Sequence, residues 1–113
     1  MKVLTRKEEM FLLTVWMLGD NAYGVSVAEK LSEITNKSWI MGQVYVPLER
    51  LEQKGYLASY LSEPVSERGG RSKRLYKLTE PGLKALLDTR SMEKSLWKEV
   101  STDSIEKSLL QKR

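Results

Sequence analysis

A run of positive charge in the second half of the chain is the feature most suited to chemistry with a partner. Residues 66–77 contain five cations and one anion, a net charge of +4 that equals the formal excess of the whole chain. The cations are Arg68, Arg71, Lys73, Arg74 and Lys77. Such charge suits contacts with phosphate groups and release of their counterions. Gly69 and Gly70 would let the backbone approach another surface closely, although a solvated loop would also carry charge.

Other kinds of chemistry find little support in the composition. The chain of 113 residues has no Cys and no His, which removes disulfides, thiolate ligands and the commonest general base and metal ligand. Its carboxylates show no spacing typical of a metal cluster, and no carboxylate–lysine or tyrosine pattern suggests a catalytic site. We therefore expect neither an enzyme nor a protein that uses a metal or other cofactor.

The N-terminal region lacks the pattern of a targeting or membrane segment. Charged residues 6–9 interrupt any signal-peptide apolar region. The longest apolar run, residues 10–18, has nine residues and includes Thr14, whereas a membrane span needs about 20. We expect a cytoplasmic protein with no membrane partner.

The elements that must position the basic run begin with two predicted helices. Thr5 and Glu8 form the sequence pattern of a capping box, which predicts the start of helix 1. This helix is apolar nearly all round up to residue 18, so we expect one of its faces to pack on a second subunit. Residues 19–21, of sequence Gly-Asp-Asn, end it. Apolar residues at helical spacing then predict helix 2 over residues 24–35.

A third helix is predicted over residues 42–54. Val44, Leu48 and Leu51 recur at the spacing of an inward stripe. The opposite side then carries Gln43, Val46, Glu49, Arg50 and Gln53. The helix has as many anions as cations, so its net charge is zero. Pro47 lies inside it, where proline removes one backbone hydrogen bond and favours a bend.

A β-hairpin and a fourth helix follow. Residues 56–61 and 74–79 approximate the alternation of strands and include aromatic residues, and the segment between them contains most of the basic run. Thr79 as N-cap, with a proline in the first turn, predicts helix 4 as far as Trp97 or Val100. Residues 101–113 are also helical in pattern, which leaves open whether they continue helix 4.

The order helix, helix, helix, hairpin, helix is the layout of a winged helix-turn-helix. The predicted fold class is mainly α with a small β-hairpin, with the winged helix-turn-helix domain over residues 1–79 and a C-terminal helical segment over residues 80–113. In that layout helix 3 enters the major groove and the hairpin tip, or wing, contacts the flanking backbone. The expected partner is double-stranded DNA.

Three motifs carry a resemblance to a known family. The first is Ala22-Tyr23-Gly24, followed by Val27 and Leu31. The second is Gly42-Gln43-Val44-Tyr45, followed by Leu48, Arg50-Leu51-Glu52 and Lys54-Gly55. The third is Glu67-Arg68-Gly69-Gly70-Arg71-Ser72-Lys73-Arg74, followed by Tyr76, Leu78-Thr79 and Gly82. In this order and spacing, over about residues 5–87, the sequence resembles the PadR-like transcriptional regulators, which are bacterial winged-helix proteins.

The resemblance implies a homodimer that represses promoters and is commonly released by a small-molecule effector. Helix 1 and the C-terminal helix would build the dimer interface, so residues 80–113 would be a dimerisation segment. The residues expected at this interface, or in a pocket for a small hydrophobic effector, are Phe11, Val15, Trp97 and Val100. Packing of the tryptophan in a core or interface, without any effector, is the alternative.

The charge pattern and the resemblance indicate DNA contacts from two parts of the chain. The wing residues expected to bind DNA are Arg68, Gly69, Arg71, Lys73 and Arg74. The candidates on helices 2 and 3 are Tyr23, Gln43, Tyr45, Val46 and Arg50. Gln43 and Arg50 suit base edges, and Val46 suits a thymine methyl group. Each tyrosine suits either a phosphate contact or packing at the edge of the core.

Helix 3 departs from the family pattern in two places. Ile40-Met41 stands where the family usually has Ser or Thr, which weakens the N-cap. Pro47 stands one place after the proline of many members. The neutral charge of helix 3 also supports a second hypothesis, a winged-helix interaction module whose basic hairpin binds an acidic protein. Competition by duplex DNA at physiological salt would discriminate the two.

Overall fold

The computed structural model describes residues 1–63 and 72–111 of the chain. Within these ranges the fold has five α-helices and a two-stranded antiparallel sheet. The elements are α1 (Arg6–Leu18), α2 (Gly24–Thr35), α3 (Met41–Gln53), β1 (Leu57–Leu61), β2 (Arg74–Leu78), α4 (Glu80–Trp97) and α5 (Thr102–Gln111). A short 3-10 turn, Gly19–Asn21, follows α1. The predicted order of elements is therefore confirmed.

Threonine caps set the starts of α1 and α4 as predicted. The Thr5 hydroxyl accepts a hydrogen bond from the Glu8 N–H at 3.1 Å, and the Glu8 carboxylate accepts one from the Thr5 N–H at 2.9 Å. At α4 the Thr79 hydroxyl accepts from the Gly82 N–H at 3.2 Å. These bonds satisfy backbone donors that the first turn of a helix leaves without partners.

The first turn of α3 has a weaker cap. Ile40 at the N-cap offers no side-chain acceptor, but the Gln43 side-chain oxygen accepts a hydrogen bond from the Ile40 N–H at 3.0 Å. The helix begins at Met41, one residue before the prediction, and continues through Pro47 to Gln53. A candidate base-reading residue, Gln43, therefore also takes part in starting its own helix.

The hairpin is attached directly to the helix-turn-helix. Its register pairs Leu57 with Leu78 and Leu61 with Arg74. The Tyr76 N–H donates a hydrogen bond at 2.8 Å to the carbonyl of Ala22, just before α2. This bond places β2 beside the start of α2, so the two elements share one side of the molecule.

The core lies between the first three helices, the hairpin and the beginning of α4. Its fully or nearly fully buried members include Leu12, Val27, Leu31, Val44, Leu48, Leu51, Leu57, Tyr76 and Ala85. Phe11 packs edge-on against Trp39, with ring centroids 5.8 Å apart. On α4, Thr89 accepts a hydrogen bond from the Leu4 N–H at 2.9 Å, which ties the N-terminal segment to that helix.

Phe11 and Val15 belong to this core and are not on the surface. They are only 0% and 2% exposed, whereas the sequence-based expectation placed them at a dimer interface or effector pocket. A helix that is apolar nearly all round does not show which side the rest of the chain covers. The apolar residues of α1 that are exposed are Leu13, Trp16 and Met17.

The C-terminal region is divided into two helices, a point that the helical pattern left open. Helix α4 ends at Trp97, and α5 is a separate helix of ten residues with no buried side chain. Trp97 and Val100 are exposed. None of the helices in the part of the chain given above has the length and hydropathy that crossing a membrane requires.

Candidate nucleic-acid interface

Helix α3 turns its apolar stripe inward and the predicted reading residues outward. Val44, Leu48 and Leu51 are buried. Gln43, Tyr45, Val46 and Arg50 are all exposed, with 41% of Tyr45 and 48% of Val46 accessible. The exposed side therefore presents an amide, a phenol, a small apolar group and a guanidinium along one helix. These are groups that can contact base edges, a thymine methyl group and phosphates.

Two of the four charged side chains near the end of α3 are engaged within the molecule. Lys54 pairs with Glu8 of α1, and Glu52 accepts a hydrogen bond from the Ser59 hydroxyl at 2.6 Å. Burial raises the pKa of Glu8, but hydrogen bonds from Lys54 and the Thr5 N–H outweigh it and leave the pKa below its ordinary value. Arg50, in contrast, has no ion pair with any residue that the structure describes.

Tyr45 lies against the first turn of α2 because residue 24 is glycine. A Cβ added at Gly24 would come within 2.6 Å of the Tyr45 ring and hydroxyl, which is well inside van der Waals contact. The Tyr-Gly motif thus has a packing reason that the sequence alone did not reveal. This reason becomes visible only when α2 and α3 are packed against each other in the fold.

The N-terminus of α2 also contacts the base of the wing. The Lys73 ammonium lies 3.9 Å from the centroid of the Tyr23 ring, a cation–π geometry. An open groove of about 630 Å³ runs between these elements, and the residues that line it are Tyr23, Gly24, Val25, Tyr45, Ser72, Lys73 and Arg74. The structure therefore brings predicted residues of α2, α3 and the wing base to one surface.

The remaining wing residues divide between described and undescribed positions. Arg68, Gly69 and Arg71 fall at residues 64–71, outside the described ranges. Arg74 is exposed at the start of β2, where one of its guanidinium nitrogens donates a hydrogen bond to the Ser59 hydroxyl at 2.8 Å. Sequence reasoning did not find this contact with Ser59, since nothing in their types or spacing pairs them.

A second surface is apolar and lies between α1 and α4. Its concave part has a volume of about 410 Å³ and is lined by Leu13, Trp16, Leu83, Leu86 and Leu87, with Glu9 and Arg90 as polar neighbours. Trp16 and Leu87 are 63% and 69% exposed. Exposed large apolar groups in contact with one another are uncommon on monomers and mark interaction surfaces.

A carboxylate pair borders that apolar surface. Glu9 is only 7% exposed, and an Arg6 guanidinium nitrogen lies 3.0 Å from its carboxylate and 3.7 Å from that of Glu93. Burial is the main cause that raises the pKa of Glu9, and the nearby Glu93 raises it further, against Arg6 and Arg90. Over residues 1–63 and 72–111, no group of three or more acidic residues is placed to hold a metal ion.

Comparison with known proteins now decides the family. The model of the PadR-like family of transcriptional regulators matches residues 12–88. The chain belongs to this family. The match spans α1 to the middle of α4, and it confirms the resemblance read from the motifs. It also identifies the protein as a transcriptional regulator and not an enzyme.

Solved structures support the same fold. A PadR-like transcription factor from Bacteroides fragilis is 25% identical, with a TM-score of 0.64 over 83% of this chain and 89% of that one. A protein from Streptococcus mutans is 27% identical, with a TM-score of 0.63 over 95% and 92%. RosR from H. salinarum, at 21% identity and a TM-score of 0.67 over 96% and 93%, shows the fold alone. No curated protein sequence gives a significant match.

Proposed function

We propose that this PadR-like regulator binds duplex DNA in a sequence-specific way as a dimer and represses transcription. The observation that carries the proposal is the groove in which Tyr23, Tyr45, Lys73 and Arg74 meet beside the exposed side of α3. A surface that combines a reading helix with cations on one flank fits a major groove and its bordering phosphates.

Helix α3 supplies the base contacts in this proposal. Arg50, which no described carboxylate neutralises, suits the O6 and N7 atoms of guanine. Val46 suits a thymine methyl group. The Gln43 side-chain oxygen accepts a hydrogen bond from the Ile40 N–H, so the NH₂ group of Gln43 is the part that remains to donate to a base acceptor.

The wing and the start of α2 supply the phosphate contacts. Arg68, Gly69 and Arg71 fall between β1 and β2 in the sequence, and Lys73 lies at the groove. Cations here neutralise phosphates and release counterions, which gives affinity without reading sequence. Tyr23 at the N-cap of α2 would contact a phosphate of the DNA backbone near that helix terminus.

Dimerisation and effector binding belong to the apolar surface between α1 and α4. A second copy would bury Trp16 and Leu87 together with Trp97 and Val100 of the α4 end, all of which are exposed. A small hydrophobic effector would occupy the concavity of about 410 Å³ beside that interface. As a regulator of transcription the protein would act in the cytoplasm.

The test is a gel-shift assay of the full chain on the DNA upstream of its own gene, with excess random duplex as competitor. A complex that survives the competitor supports sequence-specific binding and provides a site for footprinting. Arg71→Ala should then lower the salt slope of log K by about 1 for each phosphate that is no longer neutralised. Lys107→Ala on the remote, exposed α5 is the matched control and should leave the slope unchanged.

The net charge of zero over residues 42–54 favours one second candidate, an interaction module that uses the basic hairpin to bind an acidic protein. In that case random duplex removes the complex completely at physiological salt, and no footprint appears. The Arg71 variant would then bind both the protein partner and DNA more weakly, because the basic hairpin would attract either one by charge alone.

A further inference from the structure

We propose that Glu52, Ser59 and Arg74 form a positioning relay that sets the orientation of the wing relative to the reading helix. Arg74 donates to the Ser59 hydroxyl at 2.8 Å, and that hydroxyl donates to a Glu52 carboxylate oxygen at 2.6 Å. The relay joins the end of α3 to the middle of β1 and the start of β2. It rests on the proposed function and concerns how that site tells one DNA sequence from another.

The middle residue has the chemistry that a relay requires. A serine hydroxyl can accept one hydrogen bond and donate another at the same time. Here it accepts from a cation and donates to an anion, and hydrogen bonds with an ionised partner are shorter and stronger than neutral ones. Glu52 and Ser59 are both half-buried, so solvent and salt screen these contacts less than they screen an exposed pair.

The relay lies beside a buried part of the hairpin. In the sheet register Ser59 lies directly opposite Tyr76, whose side chain is 1% exposed and whose N–H is bonded to Ala22. Burial raises the pKa of Tyr76, Glu52 raises it further and Arg74 lowers it. Both relay charges therefore lie near one buried ring, which indicates that the contact is built into the packing of the hairpin on α3.

Arg74 has a different role from its neighbours in this arrangement. Its guanidinium donates a hydrogen bond to Ser59, which in turn is bonded to Glu52. Arg74 is therefore a positioning residue as well as one of the cations that line the groove. A wing held at a fixed angle reaches the flanking phosphates only when α3 is seated in a matching groove. A wing free to swing would contact phosphates next to any sequence.

Substitutions at Ser59 distinguish the loss of the relay from the loss of a charge or of the folded structure. Ser59→Ala removes the hydroxyl and breaks both bonds, whereas Ser59→Thr keeps a hydroxyl in a residue suited to strands. Ser32→Ala is the matched control, since Ser32 is also half-buried and its hydroxyl donates a hydrogen bond at 2.8 Å to the Ala28 carbonyl of its own helix, α2. Affinity is measured on the DNA fragment recovered in the gel-shift assay and on random duplex, each over a range of salt concentrations.

The expected result is a loss of discrimination without a loss of electrostatic affinity. Ser59→Ala should reduce the ratio of specific to random affinity by about 10-fold, the lower end of the effect of losing a hydrogen bond to a charged group, with an unchanged salt slope. Ser59→Thr should restore the ratio. The proposal is overturned if Ser59→Ala keeps the wild-type ratio, or if the threonine variant loses as much as the alanine variant.

Amide hydrogen exchange tests the relay independently of DNA binding. In Ser59→Ala the amides of Leu57–Leu61 and Arg74–Leu78 should exchange several-fold faster than in the wild type, while those of α1 stay unchanged. Equal exchange in the hairpin would contradict the relay. Absence of any DNA complex with the wild type would contradict only the proposed function, so the two failures are distinguishable.

Discussion

At two positions a single missing side chain lets neighbouring elements approach. Gly24 accommodates the Tyr45 ring, and a Cβ at Gly82 would overlap the carbonyl oxygen of Tyr56. The two contacts differ in how they can relax. The Tyr45 ring is the far end of a half-exposed side chain and can move, whereas the carbonyl of Tyr56 is backbone and accepts a hydrogen bond from the Thr79 N–H at 3.1 Å.

Gly82→Ala should therefore destabilise the fold. The added methyl group forces α4 away from the chain before β1, and such overpacking costs about 1–3 kcal/mol of unfolding free energy, occasionally more. Denaturant unfolding of the full chain measures the difference. Gly42→Ala is the matched control, since a Cβ there meets nothing within 4 Å and alanine favours a helix. Equal stability of the two variants would contradict the close approach at Gly82.

Gln43 has two roles that a single substitution can separate. Gln43→Glu keeps an acceptor for the Ile40 N–H and places a negative charge at a helix N-terminus, where it is favourable. The same change removes the NH₂ donor proposed to read a base. We expect unchanged or slightly higher stability together with a loss of specific affinity of about 1–3 kcal/mol. Gln43→Ala should lose both properties, and an equal loss of stability in both variants would contradict the cap.

At the scale of elements, the sequence predicted the features that depend on residues close together in the chain. Thr5 and Thr79 predicted the starts of α1 and α4, and the helical pattern predicted α2 to the residue. Contacts between elements were missed, because Glu52, Ser59 and Arg74 come together only after the hairpin packs on α3. The exposed face of α1 was also missed, since apolar residues surround that helix and only packing selects the buried ones.

Packing of α4 on α1 creates an acid whose pKa is raised. Glu9 is nearly buried and borders the apolar concavity with Arg90. Its pKa is raised because burial disfavours the carboxylate and Glu93 lies nearby. The folded state therefore binds a proton at Glu9 more tightly than the unfolded chain does. Linkage then makes the contribution of Glu9 to stability decrease as the pH rises above 4.5, the ordinary value.

Glu9→Gln should remove this pH dependence. The amide stays neutral, so the variant should gain stability relative to wild type as the pH rises from 4.5 through the raised pKa, and the difference should then level off. Thermal unfolding at a series of pH values measures it. Glu106→Gln on the exposed α5 is the control and should follow the wild-type curve. A constant difference between Glu9→Gln and wild type at every pH would refute the shift.

At the scale of the whole molecule, the two candidate functional surfaces are made by different elements. The groove proposed to face DNA is formed by α2, α3 and the base of the hairpin, and the apolar concavity is formed by α1 and α4. Helix α1 packs against α2, α3 and α4, so it connects the two surfaces mechanically. A second copy or an effector bound at the concavity would act on the spacing of two reading helices, which is how a symmetric dimer selects half-sites.

The proposed dimer contact through the apolar surface predicts that a charge placed there should separate the two copies. Leu87→Glu places a charge on an exposed apolar position of α4 and should convert a dimer to a monomer, since an unpaired charge in an interface is strongly unfavourable. Sedimentation equilibrium gives the mass directly. Leu61→Glu is the matched control: leucine there is 65% exposed, close to the 69% of Leu87, but it lies at the hairpin, so its variant should keep the wild-type mass. The Leu87→Glu monomer should also bind specific DNA more weakly than the dimer, because a single reading helix makes only half of the contacts. A Leu87→Glu protein that remains dimeric would place the interface elsewhere on the molecule.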